Sequence, residues 1–112
     1  MGTLSASHWK GYLARISQRY EGHSITLRRK EPDEEQAHVV LWRTPLRHLS
    51  ADANTPGTEV VIQAGYEEPF IEVYAGPVQH ITVEFGAEES LKWLRIFSED
   101  GIVLTLVLNL EE

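Results

Sequence analysis

The carboxy-terminal stretch Leu91–Leu110, LKWLRIFSEDGIVLTLVLNL, decides how the chain folds. Ile102, Leu104, Leu106, Leu108 and Leu110 take every second position, with Val103, Thr105, Val107 and Asn109 between them. A period of two belongs to a strand, where alternate side chains share a face. The half before it alternates too: Leu94 and Ile96 fall on one face, Trp93, Arg95 and Phe97 on the other. Asp100-Gly101 stands at the fold-back, and Asp-Gly tolerates the positive φ that a hairpin tip demands. Residues 91–97 and 102–110 therefore read as a β-hairpin at the centre of the core.

Working back along the chain, Trp9, Tyr12, Leu13, Ile16 and Tyr20 follow a spacing of three and four. That spacing gathers them on one stripe and predicts an amphipathic helix over 7–20, ended by Gly22. Alternation predicts strands over 23–30, 37–43, 58–64, 70–74 and 78–85, separated by Pro- and Gly-bearing joints. Thr44-Pro45 followed by Leu46 and Leu49 reads as a capped helical turn over 44–50, with a loop over 51–57. The joints after residue 57 are short, so neighbours in sequence are expected to be neighbours in the sheet. The fold class is α+β and mostly β. One domain, 1–112, packs an N-terminal helix on a curved antiparallel meander or partial barrel of about seven short strands.

Composition narrows the function classes. The 112 residues carry a net charge of −7 and no cysteine. Residues 1–56 hold 8 Lys/Arg against 6 Asp/Glu, and residues 57–112 hold 2 against 11. Such a balance repels nucleic acid and anionic membranes at long range. The basic run Arg28-Arg29-Lys30 reads as charge protecting an edge strand rather than as a phosphate-binding patch. Without cysteine there is neither a disulfide framework nor a thiolate metal site, which fits the cytoplasm. No apolar run approaches the ~20 residues that cross a bilayer, and the first residues lack the pattern of a signal peptide.

Several short motifs resemble a family of small bacterial proteins known only as a domain of unknown function. They are Trp9-x-x-Tyr12-Leu13 leading to Tyr20-Glu21-Gly22, and Pro45-Leu46-x-x-Leu49-Ser50-Ala51-Asp52. The strand at 78–85 and Leu94-x-Ile96-x-Ser98-x-Asp100-Gly101 complete the likeness. The resemblance implies one compact domain in a bacterial cytoplasm. It implies no activity, cofactor or catalytic residue.

The chemically capable residues point to no reaction. His8, His23, His38, His48 and His80 are too scattered for a local metal-ligand spacing. His48-x-Ser50-x-Asp52 holds the residue types of a hydrolase triad, but a triad needs its base between nucleophile and acid, usually from separate elements. Ser50 and Asp52 are expected to bond backbone amides in their own turn. The adjacent acids Glu34-Glu35, Glu67-Glu68 and Glu88-Glu89 lie in loops and form no dyad by themselves. No catalytic, metal or cofactor-binding residue is assigned.

What remains is binding. Trp93 and Phe97 either lie under the helix or form, with Val103, Thr105 and Val107, an exposed interaction surface. The last strand has no charge between Gly101 and Leu110, so it is the expected open edge, and a symmetric homodimer is the expected use of it. In the competing reading the helix seals that edge within a monomer. The leading expectation is a non-enzymatic module that binds protein or itself. The alternative is a small-molecule binding protein or enzyme, with a pocket between helix and sheet lined by Tyr12, Tyr20, Trp42 or a histidine.

Overall fold

The computed structural model describes residues 2–53, 57–86 and 90–109. Gly2–Leu4 forms β1, and a 3-10 turn over Ala6–His8 leads into α1, Trp9–Tyr20. The strands that follow are β2 (Ser24–Lys30), β3 (His38–Ala53), β4 (Thr58–Ala64) and β5 (Ile71–Ala75). Then come β6 (Val78–Phe85), β7 (Leu91–Ser98) and β8 (Val103–Leu108). All pair antiparallel in one open sheet of order β1-β6-β7-β8-β2-β3-β4-β5. The helix lies against β3. The fold is thus α+β and mostly β, as the alternation predicts. None of its described helices is long and apolar enough to cross a membrane.

The hairpin read from 91–110 sits in the interior of the sheet. Leu94 pairs with Leu106 and Ile96 with Leu104, and all four are buried. At its tip Ser98 N–H donates to Ile102 O and Gly101 N–H to Ser98 O, with Gly101 at φ 93°. Gly22, at φ 86°, ends the helix as its position predicts, and its N–H donates to Leu46 O. Leu13, Ile16 and Tyr20 of α1 join Ile25, Leu27, Leu46, Leu49, Ile62, Leu94 and Leu106 in a continuous core.

Four expectations need correction. First, residues 44–50 are not a helical turn, and 51–53 are not loop: both belong to the sixteen-residue β3. Its first half pairs with β2 and its second with β4, so one bent strand serves both halves of the sheet. Pro45 sits at the hand-over, where its missing N–H interrupts no ladder. Leu46 and Leu49 are both buried at a helix-like spacing because Arg47 is an extra residue between the pairs Leu46↔Ala64 and His48↔Gln63. A bulge adds one residue and turns a period of two into three.

Second, the carboxy-terminal strand is no edge. β8 lies between β7 and β2, so its amides and carbonyls are engaged on both sides. Third, β2 is interior as well, and its basic residues protect no edge. Strand alternation splits them: Arg28 and Lys30 share the outer face, while Arg29 turns the other way and pairs with Glu31 at 2.6 Å. Fourth, β5 and β6 do not pair despite their short joint, and a β1 that the sequence reading lacks covers part of β6. The true edges are β1 and β5. Leu110, read as part of the last strand, lies outside the described residues.

Candidate functional site

The second half of α1 walls an open cleft. Helical spacing sets Tyr12, Arg15, Ile16 and Arg19 along one flank, with Tyr20 at its end. Across from them stand Phe85 at the end of β6 and Leu91 at the start of β7. The cleft has a volume of about 770 Å³ and is open to solvent. Ligand sites in proteins commonly measure ~300–1,000 Å³. Tyr20 is fixed in its wall because its hydroxyl accepts a hydrogen bond of 2.9 Å from Leu91 N–H. The Arg15 guanidinium lies 5.9 Å from the Tyr12 ring centroid and that of Arg19 5.3 Å from Tyr20's. Phe85 is 46% exposed, an uncovered ring on the opposite wall. Burial, then the neighbouring Tyr20, raise the Tyr12 phenol above its ordinary pKa, and Arg15 pulls the other way. Of the residues expected in a pocket, Tyr12 and Tyr20 meet there. Trp42 does not: it is 63% exposed on β3, with the Arg43 guanidinium over its ring at 5.5 Å.

Four of the five histidines have separate local partners. His48 Nδ1 lies 3.1 Å from Ser17 Oγ, which also accepts from the Leu49 N–H at 3.0 Å. His23 meets the edge of Tyr20, His38 sits 3.6 Å from Glu34, and His80 stacks on Phe97 at 4.2 Å. Among the described residues no three His, Asp or Glu side chains gather as a metal site would require. His48, Ser50 and Asp52 occupy alternate positions of β3, where side chains stand about 6.6–6.8 Å apart, beyond hydrogen-bond reach. Ser17, buried and bound by a backbone amide, latches helix to strand.

Trp93, Phe97, Val103, Thr105 and Val107 do share one face, opposite the core and away from α1. Cross-strand rows run Glu84–Trp93–Val107–Thr26, Thr82–Arg95–Thr105–Arg28 and His80–Phe97–Val103–Lys30. The aromatic rings there carry polar covers. Arg95 lies 4.6 Å from the Trp93 centroid and donates to Thr105 Oγ1, and His80 covers Phe97. This face is a mosaic of half-buried pairs rather than an uncovered apolar patch.

Alternation predicts the strand at 70–74, observed as β5 one residue on, but sequence reasoning missed that it is an edge. Its Ile71 is 51% exposed and its Tyr74 52%. It bonds to β4 on one side, and no described strand pairs with the other. Exposed aromatics adjoin its start. Tyr66, 74% exposed, donates its hydroxyl to Arg43 O, and Arg47 holds Gly65 O and Tyr66 O while lying over Phe70. Arg43 has φ 45°, in the left-handed region, at the bulge where Leu41 and Thr44 face Leu27 and Ile25. The Pro-bearing joint before β5 and its short length were the available signals; strand order, which makes it an edge, left no mark in the sequence. No family model matches the chain, and neither a curated protein nor a solved structure matches it, so the family resemblance of its motifs gains no support.

Proposed function

We propose that the chain is a non-enzymatic assembly module of the bacterial cytoplasm, pairing with a second copy of itself through the open edge of β5. The observation that carries this reading is a five-residue edge that no described strand pairs, with Ile71 and Tyr74 half exposed on it. Exposed edges of this kind are templates for a further strand. The strand also fits its own copy. In antiparallel pairing about Val73, Glu72 of one copy faces Tyr74 of the other, and these residue types already hydrogen-bond within the chain at 2.7 Å. Ile71 then faces Ala75 on the core side, so apolar meets apolar. Twofold closure of this kind is the commonest solution among soluble oligomers. The non-enzymatic part rests on the ordinary structural partners of His23, His38, His48, His80 and Ser17.

Register provides the test. The chain has no cysteine, so Val73→Cys introduces a single thiol at the proposed axis. Directly opposed residues bring their Cβ atoms to ~4.5–5.5 Å, close enough for a disulfide to close with small adjustment. Mild oxidation is expected to yield covalent dimers of Val73→Cys and few of Glu99→Cys, which lies at the β7–β8 hairpin tip and not on the β5 edge. Equal yields from both would refute the pairing.

A second reading, small-molecule binding, is favoured by the cleft beside α1, where Tyr12 and Tyr20 meet. A thermal-shift screen with a metabolite library tests it: reproducible stabilisation by one compound class supports binding. A flat screen counts against it.

A further inference from the structure

We infer that the cleft beside the second half of α1 binds a small aromatic carboxylate, with Arg15 and Arg19 holding the carboxylate and Phe85 receiving the ring. This inference rests on the small-molecule reading of the cleft and adds the class of ligand.

The electrostatic argument comes first. Arg15 and Arg19 are one helical turn apart, so their Cβ atoms lie ~5–6 Å from one another and both guanidinium groups serve the same flank. Neither is ion-paired to a described carboxylate, although the chain carries 17 Asp and Glu. No Asp or Glu is among the described residues lining the cleft. Tyr20 is the last residue of α1, and a helix carboxyl end bears roughly −0.5 of a charge. Two guanidinium groups outweigh that fourfold, so the described lining of the cleft is positive. A carboxylate between them takes charge-assisted hydrogen bonds from both, the geometry for which arginine is best suited.

The apolar part of the ligand follows from the remaining walls. Ile16, Leu91, Tyr12 and Tyr20 make an apolar floor and sides, with both tyrosine rings engaged by arginine. Phe85 is the one lining aromatic of the described set with a largely uncovered ring. A flat aromatic body stacks on it in the offset or edge-on arrangements such rings prefer. A fully hydrated inorganic anion would use the arginines and leave these walls exposed.

The test uses the full chain, 2-naphthoate as probe and 2-naphthamide as its neutral counterpart, followed by amide chemical shifts at low salt. Naphthoate is expected to shift amides around Tyr12, Tyr20, Phe85 and Leu91 and to bind at least tenfold more tightly than naphthamide. Arg15→Gln and Arg19→Gln, both at exposed positions, are each expected to weaken naphthoate about tenfold and leave naphthamide unchanged, the size of one charge-assisted contact. Equal binding of the two probes, or equal weakening of both by the substitutions, overturns the carboxylate assignment while the cleft reading stands. Absence of shifts at these residues with either probe overturns both.

Discussion

Ser17 shows how much one side chain does in this fold. Its hydroxyl accepts from the Leu49 N–H in the buried contact between α1 and β3, and it contacts His48 on the exposed side. Ser17→Ala leaves a buried amide without a partner, a penalty of ~1–3 kcal/mol. His48→Ala, at an exposed residue, is expected to lie within about 0.5 kcal/mol of the parent. Urea denaturation of the two variants checks this, and a larger loss from His48 would reverse the roles assigned to the pair. Tyr12 adds a pH dependence. Its pKa is raised above the ordinary 10.0 in the folded state, chiefly by burial. Its contribution to stability is therefore fully present below about pH 10 and is lost as pH rises through the folded value. Comparing unfolding of the parent and Tyr12→Phe between pH 9 and 11 is expected to show the steeper decline in the parent. The histidine and serine contacts were invisible in sequence because they join residues 31 positions apart.

At the scale of elements, what hid β3 was a change of period. Leu41/Thr44, Leu46/Leu49, Val78/Ile81 and Leu91/Leu94 are buried pairs three residues apart, each within or entering a strand. Each spans a register irregularity with one extra residue. Where undisturbed alternation surrounded the bulge, as in 78–85 and 91–97, the strand was legible and its bounds fall within a residue of those observed. Where Pro45 and Thr44 stood beside it, the same spacing imitated a helical turn. The bulges also carry energetic weight. Gln79 is exposed and is the extra residue between Val78 and His80. Gln79→Ala is expected to be neutral within ~0.5 kcal/mol. Deleting Gln79 forces Val78 to the opposite face and is expected to cost at least the ~1.5–3 kcal/mol of burying such a side chain. The core alternation itself is tested by Leu104→Ala or Leu106→Ala, expected to cost ~2–5 kcal/mol in denaturant titrations, against less for Val103→Ala or Thr105→Ala. Equal losses from both sets would mean that the sheet buries both faces.

At the scale of the whole molecule, sequence made the class of fold legible and strand order illegible. The hairpin was read correctly in its pairing of β7 with β8, but a strand's alternation says which face is buried and nothing about which strand lies beside it. Asn109 N–H donates to Ser24 O, and β8 closes against β2 across most of the chain's length. That long-range pairing moves the open edge from the carboxy-terminal strand to β5, and the proposed dimer moves with it. Tyr12 and Tyr20 were legible as pocket residues because helical spacing put them on one flank. Phe85 and the two arginines were not, because their convergence depends on where β6 ends. The proposed self-pairing is tested most directly by sedimentation velocity over a tenfold or wider concentration range, on the parent chain and on Ile71→Lys/Tyr74→Lys. Lysine at these half-exposed positions leaves the core intact and places charge along the edge, the device by which natural edge strands avoid pairing. The parent is expected to approach twice the monomer mass as concentration rises, and the double variant to stay monomeric throughout. A parent that sediments as a monomer at every concentration, or a double variant that dimerises as the parent does, would contradict assembly through β5.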